Sequence, residues 1–309
     1  MGIWRSTSFV ATQEPCFCHD NLPNPGQVHR ASSGSAVPIV QRCRELPIHS
    51  NMKKSAFFVL FFASYMLHGI AASVIFHNTG TTPSGWDQVL VEHNGNVAQV
   101  TNVVKEGSTA IKATQIYDPN YHNRYHSEVI KYDVYGRGDM GFYGFWFRLQ
   151  SDWEFTSQRY NIAQFEADFS DVASCDTFIP TTMVWVRGTK LEARTNSGPL
   201  CPTSARTTTN FNNLVDVTAG VWHKVVIQAN WQSDNTGYFK LWFDGTKVLE
   251  RFNFPTTLQS DKRYQFRVGL YANSWHDDNQ MVGTQGTRSV WFDEIGAGTT
   301  FADADPDQW

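Results

Sequence analysis

The stretch NIAQFEADF, residues 161–169, decides how the chain folds. From Ala163 onward it alternates: Ala163, Phe165, Ala167 and Phe169 are apolar, while Gln164, Glu166 and Asp168 are polar. Successive side chains of a β-strand point to opposite faces, so the stretch reads as a strand with one buried and one polar face. A helix would instead repeat its apolar residues three and four apart. The stretch FRVGLYANSW, 266–275, shows the same period. Phe266, Val268, Leu270 and Ala272 make its apolar face; Arg267, Gly269, Tyr271, Asn273 and Trp275 make its open face. A third stretch, NRYHSEVIKY at 123–132, turns Arg124, His126 and Glu128 to one side.

Working outward, the region after residue 73 is filled with similar short runs: VAQVTNVV, FYGFWFRL, TTMVWVRG, WHKVVIQANW and GYFKLWFDGTKVLERF. They are rich in Val, Ile, Phe, Tyr, Trp and Thr, the residues that suit a pleated, half-buried surface. Asp244-Gly245 between two such runs signals a hairpin. No long segment has helical period. The expected fold is all-β, a β-jelly roll: a two-sheet antiparallel sandwich with an open concave cleft.

Residues 52–73, MKKSAFFVLFFASYMLHGIAAS, have the order of a secretory signal: a basic start, an apolar run and small residues. The apolar run is short for a membrane span, which needs roughly 20 residues. The 51 residues before it show no foldable pattern and read as a disordered or over-extended N-terminal segment. The domain expected is therefore 74–309, secreted and extracellular, with no stable membrane association after signal cleavage. Two cysteines remain in it, Cys175 and Cys201. In an oxidising compartment they are expected to form a disulfide.

From Val74 to Trp309 the chain carries 19 Lys and Arg against 26 Asp and Glu, a net of −7. That balance excludes nucleic acid as a partner. An acidic polymer is compatible only if cations gather in a cleft, where local focusing outweighs net charge. Tyr, Trp, His and Gln on three polar strand faces suit a carbohydrate: flat rings for sugar faces, amides and charges for hydroxyls and carboxylates.

These three strands resemble jelly-roll polysaccharide lyases of the alginate lyase kind. That family carries Arg-x-Glu-x-Arg, Gln-x-His and Tyr-x-Lys-x-Gly-x-Tyr-x-Gln. The corresponding stretches here are His126-Ser-Glu128-Val-Ile130, Gln164-Phe-Glu166 and Gln265-Phe-Arg267-Val-Gly269-Leu-Tyr271-Ala-Asn273. Glu128, Gln164, Gly269 and Tyr271 match; Arg267 and Asn273 are chemically similar replacements. His126 stands where alginate lyases have Arg, and Glu166 where they have His. With the run from VIFHNTGTTPSGWDQV to VWFDEIGAG, the set resembles the glucuronan lyases of polysaccharide lyase family 20.

The resemblance implies β-elimination on β-1,4-linked glucuronic acid polymers, leaving unsaturated uronate ends. Its catalytic residues would be Tyr271, His126 and Gln164, with either Tyr271 or His126 as the base. Nearby Arg124 and Arg267 would favour a Tyr271 phenolate. Gln164 would bond to the substrate carboxylate. Glu128 would orient Arg124 or His126. Arg124, Glu128, Glu166, Arg267, Asn273 and Trp275 would bind substrate, with Trp275 stacking on a sugar. No cofactor is required for this chemistry. Related domains suggest a structural calcium, with Asp293 as a ligand. The partner expected is an acidic polysaccharide, bound by a monomer. Two rival readings remain: a retaining β-glucanase using acids of Glu166-Ala-Asp168-Phe-Ser-Asp171, and a non-catalytic carbohydrate-binding protein on the same fold.

Overall fold

The structure, a computed structural model, describes residues 73–172 and 175–309. The expected signal peptide and the segment before it lie outside these residues, apart from Ser73. Among the described residues, fifteen strands follow one another. The first five are β1 (Val74–Asn78), β2 (Gln88–Val91), β3 (Asn96–Val100), β4 (Ala110–Ile116) and β5 (His126–Tyr135). Next come β6 (Met140–Leu149), β7 (Arg159–Asp168), β8 (Phe178–Arg187), β9 (Lys190–Ser197) and β10 (Thr207–Asp216). The last five are β11 (Trp222–Asn230), β12 (Tyr238–Phe243), β13 (Thr246–Phe252), β14 (Tyr264–Tyr271) and β15 (Thr287–Gly298). Two short helices, α1 (Asn273–Asp277) and α2 (Phe301–Ala304), complete the set.

All strand pairings are antiparallel, in two sheets. One has the order β13-β12-β11-β6-β15-β4-β3 with β1 on β15; the other runs β10-β9-β8-β7-β14-β5-β2. This is the β-jelly roll expected from the alternation. Asp244 and Gly245 turn β12 into β13 with φ of 48° and 78°, as a two-residue hairpin turn requires.

The core lies between the sheets and is strongly aromatic. Phe165 on β7 and Phe266 on β14 stack with ring centroids 5.0 Å apart. Tyr143 from β6 meets Phe165 edge-on at 4.7 Å, and its hydroxyl accepts from Trp231 Nε1 at 3.0 Å. The apolar residues read from alternation, Ala163, Phe165, Ala167, Phe169, Phe266, Val268, Leu270 and Ala272, are all buried. The opposite face of the seven-stranded sheet is left to line a cleft.

Gly269 is a fixed point of that sheet. A Cβ there would lie 2.2 Å from the Ser127 carbonyl oxygen and 2.5 Å from Glu128 Cα, so β14 closes on β5 only with glycine. Cys175 and Cys201 form the expected disulfide with Cα atoms 5.6 Å apart, which ties the β7–β8 connection to the segment ahead of β10.

Candidate active site

The three strands singled out by their polar faces are neighbours. β14 lies between β5 and β7, with Tyr271 opposite His126 and Arg267 opposite Gln164. Their polar faces therefore merge into one floor. A groove crosses this floor from Gln88, Leu90 and Glu92 on the β2 side to Met183, Trp185 and Arg194 on the far side. His126, Arg124, Glu166 and Phe178 line both halves.

His126 and Tyr271 stack with ring centroids 3.8 Å apart and an interplanar angle of 24°. The imidazole is fixed from behind. Glu92 Oε2 accepts from His126 Nδ1 at 2.7 Å and from the His126 backbone N–H at 3.1 Å. Burial works against the Glu92 carboxylate, but the bonds from His126 hold its pKa below the ordinary value. An ionised Glu92 can only accept, so Nδ1 carries a proton, and Nε2 is the ring nitrogen left without this bond. Burial pushes the Tyr271 phenol well above its usual pKa, and Asp277 adds to that; Arg124 opposes without reversing it. The phenol therefore keeps its proton.

Beneath this pair lies a buried polar network. Glu128 is fully buried, and both its oxygens accept from Gln164 Nε2, at 2.9 and 3.0 Å. Arg267 Nη1 lies 3.6 Å from the same carboxylate, and Nη2 pairs with Glu166 at 2.5 Å. Gln265 Oε1 accepts from Arg267 Nε and Nη2 at 3.0 and 2.7 Å. Burial raises the Glu166 pKa, Arg267 opposes the rise, and Glu128 adds to it. A buried charge network of this kind is rigid when every member is satisfied. It fixes the Gln164 amide at the cleft floor.

A sequence-family model described as polysaccharide lyase matches residues 77–296. The chain belongs to this family. It is a lyase that acts on polysaccharide. The crystal structure of endo-β-1,4-glucuronan lyase from the fungus Trichoderma reesei is similar to it at 52% identity, covering 77% of this chain and 100% of that one, with a TM-score of 0.74. The alginate lyase of Aplysia kurodai stands further off, at 7% identity and a TM-score of 0.49 over 73% of this chain and 99% of that one. The cellulose-induced protein Cip1 is 15% identical with a TM-score of 0.43, over 72% and 97% of the two chains. No curated protein sequence matches the chain.

Within the lyase cleft, His126, Gln164, Glu166, Tyr271, Asn273 and Arg124 come together as expected. Several expected roles change. Trp275 is not on the open face: strand period ends at Tyr271, α1 begins at Asn273, and Trp275 turns into the core against Tyr125 and Tyr117. Trp275→Ala is expected to cost about 3–5 kcal/mol of stability in denaturant unfolding, as buried aromatic truncations do. A sugar-stacking Trp would instead lose affinity at unchanged stability. Arg267 is bound by Glu166, Gln265 and Glu128 and lines the β2 half of the groove. Glu128 orients Gln164, not Arg124; His126 Nε2 is 4.0 Å from it. The expected Tyr271 phenolate gives way to a phenol, because burial outweighs the nearby cations.

Asp293 is also placed differently. Its carboxylate accepts backbone N–H bonds from Lys105 at 2.9 Å, Glu106 at 3.3 Å and Glu294 at 3.0 Å. Burial raises its pKa, while those bonds oppose the rise. Among the described residues no group of three His, Cys, Asp or Glu side chains has metal-holding geometry. Through the bonds from Lys105 and Glu106, Asp293 clasps the loop after β3 onto β15. The acids of the β-glucanase reading are likewise committed elsewhere. Glu166 pairs with Arg267, and Asp171 pairs with Lys262 beyond the end of β7.

Three cleft residues escape the alternation argument. Arg159 shares the cleft face with Gln164 because a bulge between Asn161 and Ala163 reverses the parity of β7. Arg194 reaches the cleft from β9, a strand without a clean polar face in sequence. Glu92 reaches His126 across 34 residues of chain, from just past the end of β2. Glu92→Gln should lower turnover by about tenfold to hundredfold, the usual range for losing a group that orients a working residue. It should also change acid stability. A Glu with a lowered folded pKa contributes stability above its ordinary value and loses it as pH falls through the folded value. Thermal melts should separate parent and variant near neutral pH and converge as the pH drops below the ordinary Glu range.

Proposed function

We infer that this lyase cleaves β-1,4-linked glucuronan by syn β-elimination, with His126 as base and Tyr271 as acid. The observation that carries this reading is the His126–Tyr271 stack at 3.8 Å. In 4-linked β-glucuronate, the C5 proton and the O4 leaving group lie on the same side of the ring. Both proton transfers must therefore be served from one side, and two adjacent rings do that. Neutral His126 takes the C5 proton on Nε2, and the phenol of Tyr271 protonates O4 as the C4–O4 bond breaks. The product carries a C4–C5 double bond. Gln164 has two amide hydrogens; Glu128 aims the group and a hydrogen remains to bond the substrate carboxylate as enolate charge develops. Each task of the reaction thus has a protein group.

The similarity to the Trichoderma reesei glucuronan lyase supports glucuronan as substrate. So does the departure from alginate lyases at His126 and Glu166. The groove runs from β2 to β9, six neighbouring strands of the sheet, about 24 Å at roughly 4.8 Å per strand step, which suits a polymer rather than a single sugar. The enzyme works as a secreted monomer in this reading, released after the 52–73 segment; N-terminal sequencing of secreted enzyme should begin near Val74. The substrate assignment is tested by ultraviolet absorbance of unsaturated uronate on glucuronan, alginate and a neutral β-glucan. Rapid signal on glucuronan is expected. Equal or faster signal on alginate would overturn it.

A further inference from the structure

Arg159 on β7, Trp185 on β8 and Arg194 on β9 stand together in the cleft. Both guanidinium groups lie over the same indole, at 5.2 Å for Arg159 and 5.6 Å for Arg194. Neither makes an ion pair among the described residues, and the Nε atoms of both are buried without a hydrogen-bond partner. Arg194 Nη2 touches Met183 Sδ at 3.0 Å, which is a weak acceptor. Other buried or half-buried arginines on or beside this sheet are paired: Arg267 with Glu166, Arg187 with Glu192, Arg206 with Asp176. The acids nearest the two unpaired arginines are committed. Glu192 accepts from Trp185 Nε1 at 2.9 Å and from Arg187 at 2.8 Å. Asp277 accepts from Asn273 at 3.4 Å and pairs with His276 at 3.1 Å.

Two unpaired cations in a partly dry cleft repel one another and lack hydrogen-bond acceptors. Burial lowers the Arg194 pKa, and Arg159 lowers it further, against the opposing pull of Asp277 and Tyr271. The arrangement is unfavourable alone and is relieved by an anion. Its position is set by register. His126, Tyr271, Asn161 and Trp185 lie opposite one another across β5, β14, β7 and β8. The Trp185 and Tyr271 backbones are therefore two strands apart, about 10 Å at roughly 4.8 Å per step, while their side chains pack together, which puts the arginine pair next along the groove from the reacting sugar.

We propose that Arg159 and Arg194, held on Trp185, form a second carboxylate-binding subsite that grips a uronate residue flanking the one being cleaved. It rests on the reading of the cleft as a polyuronate site, and it adds a specificity device: the enzyme recognises a charged neighbour as well as a charged reacting sugar. The guanidinium forks would take the flanking carboxylate in charge-assisted, bidentate bonds. Trp185 is itself buried beneath them and acts as their platform, not as a sugar-stacking face.

The test compares Arg159→Gln, Arg194→Gln and the double variant with the parent on glucuronan. A lost charge-assisted contact raises KM by about tenfold for each single change and about a hundredfold for the double, with kcat within about threefold. The salt dependence of KM should flatten in parallel, and Arg194→Lys should recover part of the loss. A merely structural role for the pair predicts lowered melting temperatures with KM unchanged. A folded double variant with parental KM and salt dependence overturns the subsite. Calorimetric binding of a saturated glucuronate oligomer to Tyr271→Phe, with and without Arg194→Gln, reads the subsite without turnover. If the parent gives no unsaturated ends, the lyase assignment on glucuronan fails, and the oligomer still decides: about tenfold weaker binding supports the subsite, and equal binding refutes it.

Discussion

Tyr271→Phe is expected to lower kcat on glucuronan by about 10²–10⁴-fold, the range for losing a positioned acid. The change removes one oxygen. The Tyr271 hydroxyl makes no hydrogen bond to any described residue, and its ring packs on His126, Met183 and Trp185, so the ring contacts survive in Phe. KM and melting temperature should both stay near the parent values, because the proposed substrate contacts of Gln164 and the cleft cations are untouched. The pH profile separates this account from a phenolate base. With the phenol pushed up by burial, activity should not rise with the fraction of ionised tyrosine. Near-normal turnover in Tyr271→Phe would remove the residue from the chemistry.

His126→Ala is expected to have an effect of similar size, about 10²–10⁴-fold on kcat. Here the protein loses the base and leaves Glu92 without its ring partner. Stability near neutral pH should fall somewhat, since the ionised Glu92 carboxylate keeps only the backbone N–H of residue 126. Added imidazole, entering the space beside Tyr271, should restore part of the activity. His126→Gln keeps a donor for Glu92 and has no basic nitrogen. It should therefore recover the stability and none of the turnover. That split distinguishes a base from a residue that merely shapes the floor.

Much of this site is legible in sequence, for a definite reason. Where a strand is regular, a period of two assigns faces without error, as it does for Gln164 and Glu166 against Phe165 and Ala167. Faces depart from alternation where geometry breaks the period. The bulge at Asn161–Ala163 hides Arg159 on what strict alternation makes the apolar face. The switch from β14 to α1 carries Trp275 from the expected open face into the core. Alternation also says nothing about pairing. It places Arg267, Glu166 and Glu128 on the cleft side, yet all three are bound to each other or to Gln164. Glu92 carries no local signal at all, because its partner is 34 residues away and the contact exists only once β2 pairs with β5.

The relation between charge and substrate also becomes physical. The domain is acidic overall, which opposes a polyanion at long range. Arg124, Arg159 and Arg194 line the cleft without ion pairs among the described residues, while of the cleft-floor acids Glu166 is paired with Arg267 and Glu128 accepts hydrogen bonds from Gln164. Local cations in a low-dielectric groove thus outweigh a diffuse negative surface.

The central claim is bond breaking by elimination, and the isotopic composition of the products tests it most directly. Glucuronan is digested in water enriched in oxygen-18, and the oligosaccharides are weighed by mass spectrometry. Elimination by His126 and Tyr271 predicts no oxygen-18 at the new ends and an unsaturated end one water lighter than the saturated oligomer. Saturated products that carry one oxygen-18 per cleavage would contradict it.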